Sequence, residues 1–276
     1  MTEPQFVVLA HLEDDTAVRV AASLARRNGA DGVKLVSADE LVMARRWTHA
    51  VTSSRVSSKV ELADGTVLQP GRSSVIFNRL RAIPLPRVHM KVSDQEYAVM
   101  EFHALVLSWL HGLECPVVNR PSARGLSGAE RSQSEWLTLA ARAGLPVRDR
   151  AFVTDPRRFP RSRMAAWDPS GVPAVIPLRQ PVCYLEQPFS DMQSVVVAGQ
   201  RFSGEVERDT AAALHRLREM SGCDLLQVHF ARFGSNGTEG WKVAEVTSFP
   251  DITSASEMLA MVRLLEECVT NRQAAQ

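Results

Sequence analysis

The sequence predicts an α/β chain with an open N-terminal α/β lobe followed by an α+β lobe. Three stretches carry this. Phe6-Val7-Val8-Leu9-Ala10 is a continuous apolar run, the pattern of a parallel strand buried on both faces. A helical pattern and a second apolar strand complete a βαβ opening, which favours a parallel sheet. Far downstream, Leu225 to Ile252 reads as two antiparallel strands around a polar turn, after a run of hairpins beyond Ala174. The two lobes are expected to cover residues 1–120 and 121–276.

Composition narrows the class. The 276 residues are 45% hydrophobic and 23% charged, with a net charge of +1, ordinary for a globular chain. Such a balance gives no electrostatic argument for nucleic acid. The four cysteines are far apart and form no C-x-x-C pair, against a zinc or disulfide framework and in keeping with a reducing cytoplasm. Glu13, Asp14 and Asp15 interrupt the first apolar run, so no signal peptide is expected, and no apolar run reaches membrane-spanning length.

In chain order, Asp15 or Thr16 is expected to cap a helix that Asn28-Gly29 ends. Val33 to Val36 is the second strand, and Ser37 and Asp39 open a short helix through Met43. Residues 54–68 read as a hairpin turning at Asp64-Gly65. Ser74 to Arg79 is a strand whose polar end, Asn78-Arg79, stands where open α/β sheets line their sites. Arg81 to Lys91 is a proline-containing loop, and Glu96 to Leu113 a helix with Phe102, Val106 and Trp109 on its apolar stripe. Cys115 to Pro121 is a short strand entering a loop, and Glu130 to Ala143 a helix closed by Gly144-Leu145-Pro146-Val147. Asp191 to Phe202 is a hairpin, and Asp209 to Ser221 a helix.

In the closing stretch, Leu226, Val228 and Phe230 share one face, with Gln227 and His229 on the other. Trp241, Val243 and Glu245 alternate with Lys242, Ala244 and Val246. Gly234 to Gly237 supply the turn, and Pro250 ends the second strand before another helical pattern.

These residues carry a resemblance. A strand pair ending in a glutamate, then a proline loop into a helix, resembles the end of an ATP-grasp domain. Val118-Asn119-Arg120-Pro121, Gly144-Leu145-Pro146-Val147 and Ile76-Phe77-Asn78-Arg79 are similar in order and spacing to ATP-grasp ligases of the graspetide (ω-ester and ω-amide peptide) and glutamate-adding types. The resemblance implies a C-terminal lobe that is a reduced ATP-grasp-like domain. It implies Glu245 as a metal ligand, with His229 where an aspartate often stands. Glu186 and Gln187 would meet the adenine edge, in inverted order. Asn78, Arg79, Asn119 and Arg120 would face substrate. The cofactors implied are ATP and magnesium.

The sequence also departs from the family. Thr247 replaces the asparagine that follows the metal-binding glutamate. Ile176 stands where a lysine meets the phosphates, leaving nearby Arg179 as the substitute cation, and no glycine-rich loop follows. Arg157 to Arg163 is a basic run read as a solvated loop, with contact to an acidic partner as the functional alternative. The leading expectation is therefore a degenerate ATP-grasp protein that binds a peptide or protein partner without ligating. The alternatives are a minimal carboxylate-amine or carboxylate-hydroxyl ligase using Arg179 catalytically, and an unrelated α/β binding module. No nucleic acid or membrane partner is expected, and a homo-oligomer is left open.

Overall fold

The computed structural model describes residues 4–54, 56–69, 74–84, 91–148, 152–153, 183–184, 189–233 and 240–273. Strand β1 (Phe6–Ala10) is buried along its whole length, and alternate residues serve two different cores. Phe6, Val8 and Ala10 face helix α1 (Asp15–Asn28); Val7 and Leu9 face the opposite side. A strand with helices over both faces must be apolar throughout, which is why this run lacks alternation. Strand β2 (Val33–Ser37) pairs with β1 in parallel and leads into α2 (Ala38–Val42) through a Ser37–Glu40 capping box. The cap of α1 is one residue earlier than the sequence suggests. Asp14 accepts the Ala17 amide, because the N-cap side chain bonds the third residue of the helix.

A three-stranded antiparallel sheet follows: β3 (Arg46–Val51), β4 (Val56–Glu61) and β5 (Val67–Leu68). The sequence marks the β4–β5 turn but not β3, which mixes polar and apolar residues and is largely exposed. Strand β6 (Val75–Asn78), helix α3 (Val92–Gly112) and strand β7 (Val117–Val118) complete a parallel sheet of order β2-β1-β6-β7. Trp109 and Leu110 of α3, with Leu41 of α2 and Val60 of β4, fill the core on one face of that sheet.

Helix α4 (Gln133–Arg142) opens on a Ser132–Glu135 capping box. Strands β8 (Phe152–Val153) and β9 (Cys183–Tyr184) pair antiparallel. Strand β10 (Phe189–Ala198), β11 (Arg201–Phe202), helix α5 (Arg208–Ser221), β12 (Leu225–Phe233) and β13 (Trp241–Thr247) follow, then helix α6 (Ala255–Gln273). Their antiparallel sheet has the order β11-β10-β12-β13. Helices α4 and α5 cover one face through Trp136, Leu137, Leu214 and Leu217. Helix α6 belongs to both halves: Met261 and Leu265 share one core with Phe6, Phe77, Val196 and Leu225.

The strict alternation expected along β13 fails at one place. His229 pairs with Glu245 but Phe230 pairs with Val243, so Ala244 is an extra residue, a β-bulge. Without it, Glu245 and Val243 would share the core face. With it, Val243 and Val246 both enter the core, and Glu245 is delivered to the open face.

Candidate functional site

The loop from Ser248 to Ser254 and the strand ends beside it are fixed by side chains. Three carboxamides each grip one residue's backbone as a neighbouring strand would. Gln133 bonds the N–H and C=O of Val246, at 3.3 and 3.2 Å. Asn119 bonds both groups of Leu225, each at 2.9 Å, and also donates to the Ser248 carbonyl. Gln227 bonds both groups of Asp251, each at 3.1 Å. Arg79 then donates to the Pro250 carbonyl, while Thr16 and Arg19 take the N–H and C=O of Ile252. A loop has no ladder of its own, so its backbone polar groups must find such partners.

Glu257 anchors the far end. Buried at 2% exposure, it forms a capping box with Ser254 at the start of α6 and accepts bonds from Ser194 and Thr253. Burial pushes its proton affinity up, but these donors outweigh burial and hold it below the ordinary value of 4.5. A folded-state value below the unfolded one stabilises the fold above about pH 4.5, and that stabilisation is lost as pH falls through the lower folded value. Glu257→Gln is therefore expected to cost about 1.5–3 kcal/mol at pH 7. Its stability should then fall less than the wild type's between pH 5 and pH 3, in denaturant titrations at about those two values. Parallel losses in both proteins would contradict this.

The anchored loop leaves Phe249 at the meeting point of three pockets. The first, of about 580 Å³, opens above the carboxyl end of β1 and includes His11, Glu13 and Arg19. The second, of about 500 Å³, lies on the open face of the β10–β12–β13 sheet and includes Met192, His229 and Glu245. The third, of about 340 Å³, lies beside the start of α4 and includes Arg131, Gln133 and Trp136. Arg81 and Phe249 line all three. The Phe249 ring has the Arg79 and Arg81 guanidiniums each 3.8 Å from its centroid.

Arg79 is the buried centre of this arrangement. It donates to Asp14 at 2.7 Å and stands 3.6 Å from Asp251, while Asp14 uses its other oxygen to cap α1. Burial lowers its proton affinity and Asp14 raises it again; a guanidinium stays charged through either change.

Of the four residues expected to face substrate, Arg79 alone lines one of these pockets. Asn78 is buried and donates to the carbonyls of Asn119 and Leu126. Asn119 is committed to Leu225 and Ser248. Arg120 donates to the carbonyls of Leu110, His111 and Cys115, closing the C-terminal end of α3, whose last carbonyls lack helical partners. Glu245 and His229 lie on adjacent antiparallel strands, the arrangement expected of the two strands around the polar turn; they are cross-strand partners and line the same pocket. Arg179, Glu186, Gln187 and Ile176, the basic run Arg157 to Arg163 and the Gly234 to Gly237 turn lie outside the described residues.

The residues on the open face do not fit magnesium. That ion takes an octahedron of hard oxygen donors. Here one carboxylate, Glu245, accepts a bond from Gln133 at 3.2 Å and stands opposite an imidazole. His229 Nδ1 is buried without a partner, and nitrogen suits borderline metals better. Among the described residues, no three His, Cys, Asp or Glu side chains come together around a common point.

No protein-family model and no curated protein matches the sequence. Solved structures do match, over nearly the whole chain. The ATP-grasp ligase PsnB, complexed with a minimal precursor, magnesium and ADP, aligns at TM-score 0.69 and 17% identity, over 96% of this chain and 98% of its own. The Chryseobacterium gregarium RiPP-associated ATP-grasp ligase, complexed with ADP and a leader and core peptide, aligns at 0.67 and 11%, over 96% and 97%. The macrocyclase MdnC of Microcystis aeruginosa, bound to precursor peptide MdnA, aligns at 0.69 and 10%, over 95% and 99%.

This chain has the ATP-grasp ligase fold.

The likeness sets aside an unrelated α/β module. An ATP-grasp fold also explains why an open parallel sheet is followed by an antiparallel one whose free face carries Glu245. Sequence reasoning missed Gln133, Gln227 and Asp14, which position the loop, and Arg81 and Phe249, which occupy the junction. The sequence held a signal for Arg81 alone, since Arg79-Leu80-Arg81 places paired cations just after β6. Among the described residues no helix is long and apolar enough to cross a membrane.

Proposed function

We propose that the chain is an ATP-grasp-fold protein that binds a peptide along the cleft around Phe249 and does not itself ligate it. The observation that carries this is the pairing on the open face. Glu245 stands opposite His229, not a second oxygen ligand, and its carboxylate is held by Gln133. Charge neutralisation at phosphates rests on metals and fixed cations, so their loss removes the means of activating a carboxylate. The sequence supports the same reading through Ile176 and Thr247. Peptide binding is supported by like-folded proteins solved with a leader and core peptide or a precursor peptide.

A second reading, a minimal ATP-dependent ligase, has one observation in its favour: Glu245 and His229 line one pocket, where both could reach a shared ion. In that reading Arg179 neutralises phosphate charge, and Glu186 and Gln187 hold the adenine edge. Calorimetric titration with ATP and magnesium separates the two.

A further inference from the structure

Helix α3 carries apolar residues on the side that faces away from its core. Phe102, Val106 and Trp109 pack inward. On the opposite side, Tyr97, Met100, Ala104, Leu107 and His111 follow one another at intervals of three, four, three and four. That is the spacing of a seam that packs against another helix. Tyr97 is 66% exposed and Met100 71%, and Ala104 and His111 are exposed as well. The outer side of a surface helix is ordinarily charged or polar. A single exposed apolar residue is unremarkable, but a contiguous run of them marks a contact.

The β3–β4 hairpin extends this face. It lies along α3, with His49 bonded to Ser108 at 2.8 Å and Trp47 edge-on to Trp109. Val51 and Val56 are cross-strand partners at its tip, 63% and 38% exposed. They share the side of the hairpin that holds Trp47 and His49, because alternate strand residues point the same way. Val56 lies over the end of the helix, so close that a Cβ added at Gly112 would stand 2.6 Å from it. The tip therefore forms an apolar ledge beside the last turn of α3.

Seam and ledge complement one another about a two-fold axis. Ala104, the smallest residue of the seam, is also its midpoint, with Tyr97 and His111 each seven residues away. An axis there sets two copies of α3 antiparallel, closest where the side chains are smallest. It brings Glu96 and Glu101 of one copy toward the half that holds His103 and His111 of the other, whereas a parallel pair stacks like on like. Helix and hairpin together present a face roughly 30 Å by 20 Å. That is of the order of the roughly 800 Å² that each partner buries in a standard interface. We propose that this face is the contact between two copies of the chain. Each α3 packs antiparallel on the other about Ala104, and each Tyr97 seats beside the other copy's Val51–Val56 ledge. The contact needs no ligand and stands apart from the peptide reading.

Sedimentation equilibrium of the full chain should show a dimer at micromolar concentration. Met100→Glu sets a carboxylate in the seam of both copies and is expected to raise the dissociation constant roughly tenfold or more. Ala104→Arg should leave a monomer. Leu259→Glu, at an exposed apolar position on α6 outside this face, should leave the dimer unchanged. Circular dichroism of each variant verifies the fold. Mild oxidation with diamide reads the orientation, with the wild type and its own four cysteines as the blank. Ala104→Cys should cross-link to itself, and Tyr97→Cys to His111→Cys when the two variants are mixed. A chain that stays monomeric at every concentration would overturn the proposal, as would a dimer that Met100→Glu and Ala104→Arg leave intact. Tyr97→Cys cross-linking to itself, without the mixed product, would also overturn it, since the helices would then be parallel.

Discussion

Replacing Arg79 with alanine is expected to destabilise the chain by about 3–5 kcal/mol, the range for breaking a buried ion pair by removing one partner. The side chain is 2% exposed and its Asp14 partner 9%, so water cannot replace what is removed. Asp14 would keep its bond to Ala17 but lose the charge that balances it, and the Pro250 carbonyl would lose its donor. Phe249 would lose one of the two guanidiniums beside it. Urea unfolding of Arg79→Ala, Asp14→Ala and the double variant measures this as a coupling energy. A loss under about 1 kcal/mol for Arg79→Ala, as in an exposed pair, would show that Arg79 is not the buried centre described.

Asn119→Ala ranks second. It leaves the N–H and C=O of Leu225 and the C=O of Ser248 without their side-chain partner, all where strand β7, strand β12 and the cleft loop meet. At about 1–3 kcal/mol for each buried group left unmade, a total loss of roughly 3 kcal/mol or more is expected. Because the clamp joins the two sheets, the damage should be local as well as global. Hydrogen exchange should quicken first at Leu225 and along residues 246–252, ahead of β1. Uniform loss of protection across both sheets would mean that Asn119 contributes only to overall stability.

How far the sequence reaches depends on the kind of signal each element sends. The buried strand β1, the hairpins and the helices are local patterns, and the chain shows them within about four residues, the largest offsets being the starts of α3 at Val92 and α4 at Gln133. That His229 and Glu245 lie on adjacent antiparallel strands was legible from the two alternating runs and the turn between them. The bulge at Ala244 was not, since one extra residue leaves the apolar count of β13 unchanged while reversing the side that Glu245 faces. Strand β3 was missed for a related reason: its polar residues are satisfied by neighbours, as when His49 bonds Ser58 and Ser108. Asn78, Asn119 and Arg120 were legible as polar residues at a strand end, but a sequence does not tell a side chain that grips backbone from one that awaits a ligand. Two of the three carboxamide clamps join positions more than 100 apart, Asn119 with Leu225 and Gln133 with Val246, so no local pattern could announce them. Arg81 went unremarked because the pockets it joins are knowable only in the fold.

The most direct test of the central claim is a calorimetric titration of the chain with ATP in the presence of magnesium. An intact site offers the phosphates a lysine, a covering glycine-rich loop and two magnesium ligands. In the sequence reading Ile176 stands where that lysine would be, and Glu245 stands opposite His229. Each lost charge-assisted contact removes about 1.5–3 kcal/mol, so two losses weaken binding roughly a hundredfold or more. The account predicts millimolar or undetectable ATP binding that Glu245→Ala leaves unchanged. Micromolar binding that requires magnesium and vanishes in Glu245→Ala would contradict it and favour the ligase reading.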